Sequence, residues 1–427
     1  GARSAIFAPL SNIGAIIIDE EQEMTYKQEN NPRYHTHDIA AWRAARHNAK
    51  IILGSATPSL ESYARAKTGI YKLFELKERI NRKTLPEVRV VDMRISTQKG
   101  NPLFSEELIK AINNCLGKRE QIMILLNRRG YANYIVCNNC GHTYKCPNCD
   151  ITLTYHRTSD MTRCHYCGYG DKKDSRCRVC ESDKLSNFGI GTEKIEEELN
   201  RLFKDAQIVR MDLDTTSRKG AHGKILKDFI NHKYDILLGT QMIAKGLDFP
   251  NVTLVAVINA DAGLNIPDFR SGERTFQLLS QVAGRSGRSS KEGKVIFQTF
   301  NSEHYVISMA QKHDYIGFFN REIKIRKKLY YPPYCFIASV RVLSKDYQEG
   351  FSEARKISEI LRKEMTENTI LGPSMANQLR VNNIYRFQCL IKFKDREKVN
   401  KVLRKIAAHY EIKTQIKVEI DFNPLKF

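Results

Sequence analysis

The sequence predicts an α/β fold built on parallel sheet, with a cysteine-rich insertion and a smaller α/β unit at the C-terminal end. Three observations carry that expectation. Apolar runs of strand length end in polar or glycine-rich turns, helical stretches alternate with them, and four C-x-x-C pairs lie between Cys137 and Cys180. Continuous apolar strands separated by helices indicate a sheet buried on both faces. Their alternation is the rhythm of an open α/β sheet.

The first strands are read at 13–18, running into Asp19-Glu20-Glu21, and at 50–54, running into Ser55-Ala56-Thr57-Pro58, with helical character over 38–47 between them. Two such strands do not close a covered sheet, so this first unit reads as incomplete. A second unit begins near Pro102 with helix 105–114, strand 121–126 and a break at Asn127-Arg128-Arg129-Gly130. After the cysteines come helix 193–203, strand 207–211, helix 223–231, strands 235–239 and 252–258, helix 272–282 and strand 293–299. Residues 302–328 are strongly helical. Tyr331-Pro332-Pro333-Tyr334 ends that helix, because tandem prolines cannot continue it. The remainder reads strand 336–342, helix 349–367, a loop at Gly372-Pro373, strand 385–393, helix 395–409 and strand 415–421. The expected domains are 1–75, 76–132 together with 188–330, 133–187, and 331–427.

Lysines and arginines number 69 against 48 acids, a formal charge of +21. Such an excess speaks of partners, and nucleic acid is the leading one, since clustered cations release counterions from phosphates. No run approaches the roughly 18 apolar residues that span a bilayer, so no membrane partner is expected. The chain starts at Gly1 without Met or a signal-peptide pattern, and reads as a fragment. Eight of its eleven cysteines are paired by spacing in a long, lysine-rich chain, which points to metal in a reducing cytoplasm.

The pairs are Cys137/Cys140, Cys146/Cys149, Cys164/Cys167 and Cys177/Cys180. Two residues between thiolates let one turn present both sulfurs to an ion at about 2.3 Å, and a closed four-cysteine site uses two such turns. Fourteen residues separate Cys149 from Cys164, a spacing that suits one site, and the outer pairs would then share a second ion. Pairing the first two knuckles together is disfavoured because only five residues join them. An interleaved arrangement stays open on spacing alone. His142, His156 and His165 are alternative ligands, each more often a surface histidine. Lys145, Arg157, Arg163, Lys172, Lys173 and Arg178, interleaved with four tyrosines, suit single-stranded nucleic acid and suit a protein partner almost as well.

Asp19-Glu20 closes an apolar strand, where an acid pair can hold Mg²⁺ and orient an attacking water. Gly54-Ser55-Ala56-Thr57-Pro58 ends the next strand. Further on stand GTQMIAKGLDFP from Gly239 to Pro250 and QVAGRSGR from Gln281 to Arg288. In order and spacing these resemble motifs II, III, V and VI of superfamily-two helicases. More narrowly, GARSAIFAPL, YKQENNPRYHTHDIA, NRRGY, the four C-x-x-C pairs, GTEKIEEEL, DTTSRKGA, YPPY and the terminal DFNP resemble the PriA-type replication-restart helicases, over essentially all 427 residues.

That resemblance implies RecA-like helicase lobes, the first incomplete, with an inserted two-zinc module and a small C-terminal α/β domain. It implies Asp19 and Glu20 as Mg²⁺ and catalytic acids, and Arg285 and Arg288 as guanidinium groups that stabilise γ-phosphate charge. Gln281, Gly246 and Asp248 fall beside the nucleotide, with Gln281 coupling it to DNA. Arg3, Ser55, Thr57 and Thr240 fall near DNA, where hydroxyls meet backbone phosphates without reading sequence. The implied cofactors are two structural Zn²⁺ on the eight cysteines and, in the full-length enzyme, ATP with Mg²⁺. The implied activity is ATP-driven 3′–5′ unwinding at stalled or branched forks and initiation of primosome assembly, in the bacterial cytoplasm at the nucleoid. Implied partners are single-stranded and forked DNA, single-strand-binding protein and primosome proteins, including the machinery that loads the replicative helicase. The alternatives are a duplex translocase that does not unwind, and a non-enzymatic zinc-ribbon scaffold.

Two departures stand out. No G-x-x-x-x-G-K-[ST] phosphate loop occurs in these residues, so the chain as given is not expected to hydrolyse ATP. The fourth residue of motif II is Gln22, where the family usually has His, which puts that residue's coupling role in doubt.

Overall fold

The computed structural model describes all residues except 1, 77–84, 97–100, 128–133, 138, 157–158, 188–190, 213–214, 217–219, 244–248, 286–292, 412–414 and 426–427, and leaves the side chains of 186–187 aside. The break at Arg128-Arg129-Gly130 and the candidate residues Gly246, Asp248 and Arg288 therefore lie outside the described residues.

Six parallel strands form the main sheet, in the order Ile208–Met211, Ile236–Gly239, Gln121–Leu126, Val252–Ile258, Lys294–Thr299, Glu87–Asp92. All six residues of Gln121–Leu126 and all seven of Val252–Ile258 are buried, as a sheet covered on both faces requires. One face packs Leu108, Ile112, Ile195 and Leu199, from the helices Glu106–Gly117 and Thr192–Leu202. The other packs Phe276, Leu279, Val306 and Phe318, from Ser271–Ala283, Tyr305–Gln311 and Tyr315–Lys328. The edge strand Glu87–Asp92 was not legible: charged residues interrupt its apolar run.

The continuous helix expected over 302–328 is two helices. His313 takes a left-handed φ of 54°, and Asp314 then caps the second by accepting from the Gly317 N–H at 2.8 Å.

The N-terminal strands Ala15–Ile18 and Lys50–Leu53 pair in parallel, flanked by the helix Thr36–His47. The helix that follows, Leu60–Lys67, reaches the main sheet: Leu60 and Tyr63 are buried in its core beside Phe318 and Phe319.

The C-terminal sheet is antiparallel, ordered Thr369–Val381, Ile384–Phe393, Phe336–Ser344, Ile416–Phe422, with Tyr347–Glu364 and Arg396–Glu411 on one face. Its first strand replaces the loop expected around Gly372-Pro373. There Gly372 sits at φ 92°, a conformation glycine adopts freely, and the register slips between Leu371 and Ser374, so a bulge carries the strand past the proline.

Candidate metal and nucleotide sites

The four C-x-x-C turns are built alike. The backbone N–H of the residue after each second cysteine donates to the carbonyl of the first: Gly141 to Cys137, Asp150 to Cys146, Gly168 to Cys164 and Glu181 to Cys177, at 2.8–3.0 Å. All four of those donors have positive φ, between 53° and 83°. At Gly141 a Cβ would come within 2.6 Å of the Phe300 carbonyl, so glycine also lets this turn lie against the main sheet unit. The turns bring the sulfurs into two groups, Cys137 with Cys140, Cys177 and Cys180, and Cys146 with Cys149, Cys164 and Cys167. Within each group all Sγ atoms lie within 4.8 Å of one another. Closest approaches of 3.6 Å between Cys137 and Cys180, Cys140 and Cys177, and Cys146 and Cys167 fit the edge of a sulfur tetrahedron, about 3.8 Å for a Zn–S bond of about 2.3 Å. The donor set and its spacing fit zinc.

The pairing is nested. The three histidines held open as ligands are placed elsewhere: His165 meets the Met375 carbonyl through Nδ1 at 2.8 Å, while its own carbonyl accepts from Ser374 and Gln388. His156 stacks edge-on against His165, and His142 against Tyr144. The module is therefore moored to the C-terminal sheet. It is moored to the main unit as well, where Tyr331 stacks on Phe269 with centroids 4.6 Å apart and donates to the Cys149 carbonyl at 3.1 Å.

The acids expected for nucleotide chemistry stand at the end of Ala15–Ile18. Asp19 is exposed; its Oδ1 accepts the Glu20 N–H at 2.9 Å, and Glu20 turns out at φ 49°. A Cβ on Gly54 would approach that same Oδ1 to 3.2 Å, so glycine at the neighbouring strand end keeps the carboxylate clear. Tyr26 donates to the Asp19 carbonyl at 2.7 Å, and burial, then the charges of Asp19, Glu23 and Glu20, raise its pKa. An exposed carboxylate so bounded fits a hydrated Mg²⁺.

Gln22 answers the doubt about its position geometrically. Its Nε2 donates to Glu20 Oε2 at 2.6 Å and its Oε1 accepts from Ser55 Oγ at 2.6 Å. Ser55 Oγ also accepts the Thr57 N–H at 3.0 Å, so the hydroxyl expected near DNA is tied to motif II. Glu21, which sequence reasoning passed over, is buried and accepts from the Ser59 N–H, Ser59 Oγ and Ser62 Oγ, pinning Leu60–Lys67. Arg3 spends its guanidinium on the carbonyls of Thr25 and Lys27 and on Gln28 Oε1.

Motif VI rides on Ser271–Ala283, and that helix lies on motif III. Glu273 accepts the Leu60 N–H at 2.9 Å, and Gln277 Nε2 donates to the Thr57 carbonyl at 3.4 Å. Gln281 follows at the same spacing of four, hence on the same helix face, and Arg285 lies buried just beyond the helix end. Thr240 sits at the end of Ile236–Gly239, across the main sheet.

A parallel-sheet unit of the helicase C-terminal type, with a zinc ribbon inserted, is the class that the fold and the cysteine groups define. Family models match for the PriA DNA helicase Cys-rich region domain over residues 146–172, the helicase conserved C-terminal domain over 177–290 and the primosomal protein N C-terminal domain over 327–425. The chain belongs to the PriA family. It is 49% identical to the replication restart protein PriA of Bacillus subtilis (strain 168), over 99% of this chain and 53% of the relative. With that of Synechocystis it shares 40% over 100% and 52%, and with that of Chlamydia pneumoniae 38% over 100% and 58%. The chain thus spans a little over half the length of these relatives. Among the described residues, no helix is long and apolar enough to cross a membrane.

Proposed function

We propose that this chain supplies the second motor lobe, part of the first, and the zinc and C-terminal units of an ATP-dependent 3′–5′ DNA helicase that acts at stalled or branched forks and starts primosome assembly. One observation carries the reading: the motif VI helix lies on the motif III loop through Gln277–Thr57 and Glu273–Leu60, while Gln22 joins that loop to the acid pair. Asp19 and Glu20 are the groups that would hold Mg²⁺ and orient water. Arg285 and Arg288 would stabilise the transferred phosphoryl charge. When bound, ATP with Mg²⁺ supplies the phosphoryl group transferred to water, and lobe closure would convert that hydrolysis into translocation. Thr57 and Thr240 would lie by the DNA backbone, with Arg3 shaping that edge through the Thr25 and Lys27 carbonyls it holds; Gly246, Asp248 and Gln281 would line the nucleotide side, and each cysteine group would hold one Zn²⁺. Single-strand-binding protein and the helicase-loading proteins would be the protein partners, in the bacterial cytoplasm.

The test is strand displacement by the intact protein on forked duplexes with a single 3′ or 5′ tail. ATP-dependent displacement confined to one tail polarity supports the helicase reading. ATP turnover without displacement favours a translocase, and no turnover favours a scaffold. Metal analysis should return two zinc per chain.

A further inference from the structure

The helix Tyr315–Lys328 touches motif III from both of its ends. At the start, Tyr315 donates to the Pro58 carbonyl at 2.9 Å. Near the finish, Arg326 gathers three parts of the molecule around one buried guanidinium. Its Nη2 donates to Glu273 Oε2 at 2.5 Å, on the motif VI helix. Its Nη1 is shared between Glu61 Oε1 at 3.1 Å, on the helix that follows motif III, and the Pro332 carbonyl at 3.2 Å. Glu273 Oε1 meanwhile accepts the Leu60 N–H at 2.9 Å, so one carboxylate joins Arg326 to motif III.

The Tyr331-Pro332 turn carries the path to the zinc module. The Tyr331 N–H donates to the Arg326 carbonyl at 2.9 Å, and its hydroxyl donates to the carbonyl of Cys149, in the inner cysteine group. Its ring stacks on Phe269, over which the Arg326 guanidinium also lies, 5.1 Å from the centroid. Cys149, Tyr331, Arg326, Glu273 and Leu60 are all buried, so the hydrogen bonds of this path cannot be exchanged for water without cost. A planar fork can hold Glu273 on one arm and Glu61 with Pro332 on the other at a fixed angle, which a compact ammonium group cannot.

We propose that Arg326 is a positioning residue of the motor, through which the zinc module is geared to the contact between motif III and motif VI. A shift of the module moves the Tyr331-Pro332 turn, then Arg326, then the loop that Gln22 joins to the acid pair. Lobe closure and movement of the module thereby become one event. The gearing rests on the motor reading above; the link itself rests on the bonds just described.

Two measurements test it, with wild type, Y331F and R326K. In the intact protein, base pairs opened per ATP hydrolysed on a forked duplex should fall about threefold in both variants. A merely structural role lowers turnover and opening together and leaves that ratio fixed. In the 427-residue chain with its zinc, Tyr331→Phe should quicken amide exchange of Leu60–Lys67 about tenfold, the loss of one buried hydrogen bond, and leave Val252–Ile258 unmoved. An unchanged ratio overturns the proposal, and so does unchanged exchange. A wild type that turns over no ATP sinks the motor reading and not the link, which exchange then decides alone. Should R326K fail to fold, Y331F carries both measurements.

Discussion

Gln22 shows what one side chain can do at a junction. Its amide both donates to Glu20 and accepts from Ser55, a two-way contact that carries no proton to lose near neutral pH. Gln22→Ala in the intact protein should lower DNA-stimulated ATP turnover about tenfold, the loss of roughly 1.4 kcal/mol of hydrogen bonding to a charged partner, with DNA affinity unchanged. Steady-state turnover with and without DNA, beside a binding isotherm, checks it. His304 reports on pH instead. Burial, with Lys145 and Arg321 adding, lowers its pKa to about 4. Its folded value lies below the unfolded one near 6.5, so the unfolded chain takes up the proton first as pH falls. Stability is full above pH 6.5 and is lost by about 1.4 kcal/mol per unit down to pH 4. His304→Gln should flatten that part of the profile, read as the difference between wild-type and variant urea midpoints. The place of the acid pair at a strand end and the grouping of the cysteines were legible from residue type and spacing. The burial of Glu21 was not, because its partners, Ser59 and Ser62, come from another element.

At the scale of elements, the helix Ser271–Ala283 is held by an ion network. Arg326, fully buried, donates to Glu273 Oε2 at 2.5 Å and to Glu61 Oε1 at 3.1 Å, with Glu322 at 3.7 Å. Burial nonetheless raises Glu273 to about 7, against the pull of Arg326. Arg326→Met would strand these acids and should cost about 3–5 kcal/mol by urea unfolding, part of it recovered when Glu273→Gln is added. Sequence periodicity found this helix, since its apolar face is continuous. It could not find the network, whose members lie as far apart as Glu61 and Arg326. The nested cysteine pairing was favoured by spacing and needed coordinates to exclude the interleaved one. The strand Glu87–Asp92 escaped because three of its six residues are charged.

Across the whole molecule, two ion pairs join the N-terminal unit to the last strand: Lys27 with Asp421 and Arg33 with Glu419. Lys27 is almost wholly buried, so Asp421→Ala leaves an uncompensated ammonium group. Hydrogen exchange of 24–36 and 416–422 should quicken roughly 100-fold, an opening cost lowered by about 3 kcal/mol, while Val252–Ile258 is unaffected. The DFNP end was legible as a family mark, yet its role as a mooring was not, because Lys27 and Asp421 are separated by nearly the whole chain.

One sulfur tetrad is enclosed by the other along the chain, and that enclosure sets a preference between them. Filling the inner tetrad draws Cys140 and Cys177 together in advance, so the long loop between them no longer has to be closed when the outer ion arrives. That relief is mutual, as coupling between two sites must be, but the inner loop, 14 residues between Cys149 and Cys164, costs less to close than the outer one, 36 residues between Cys140 and Cys177. With equal sulfur donors at both tetrads, a chain holding a single ion therefore favours the centre, by about 0.8 kcal/mol of loop closure.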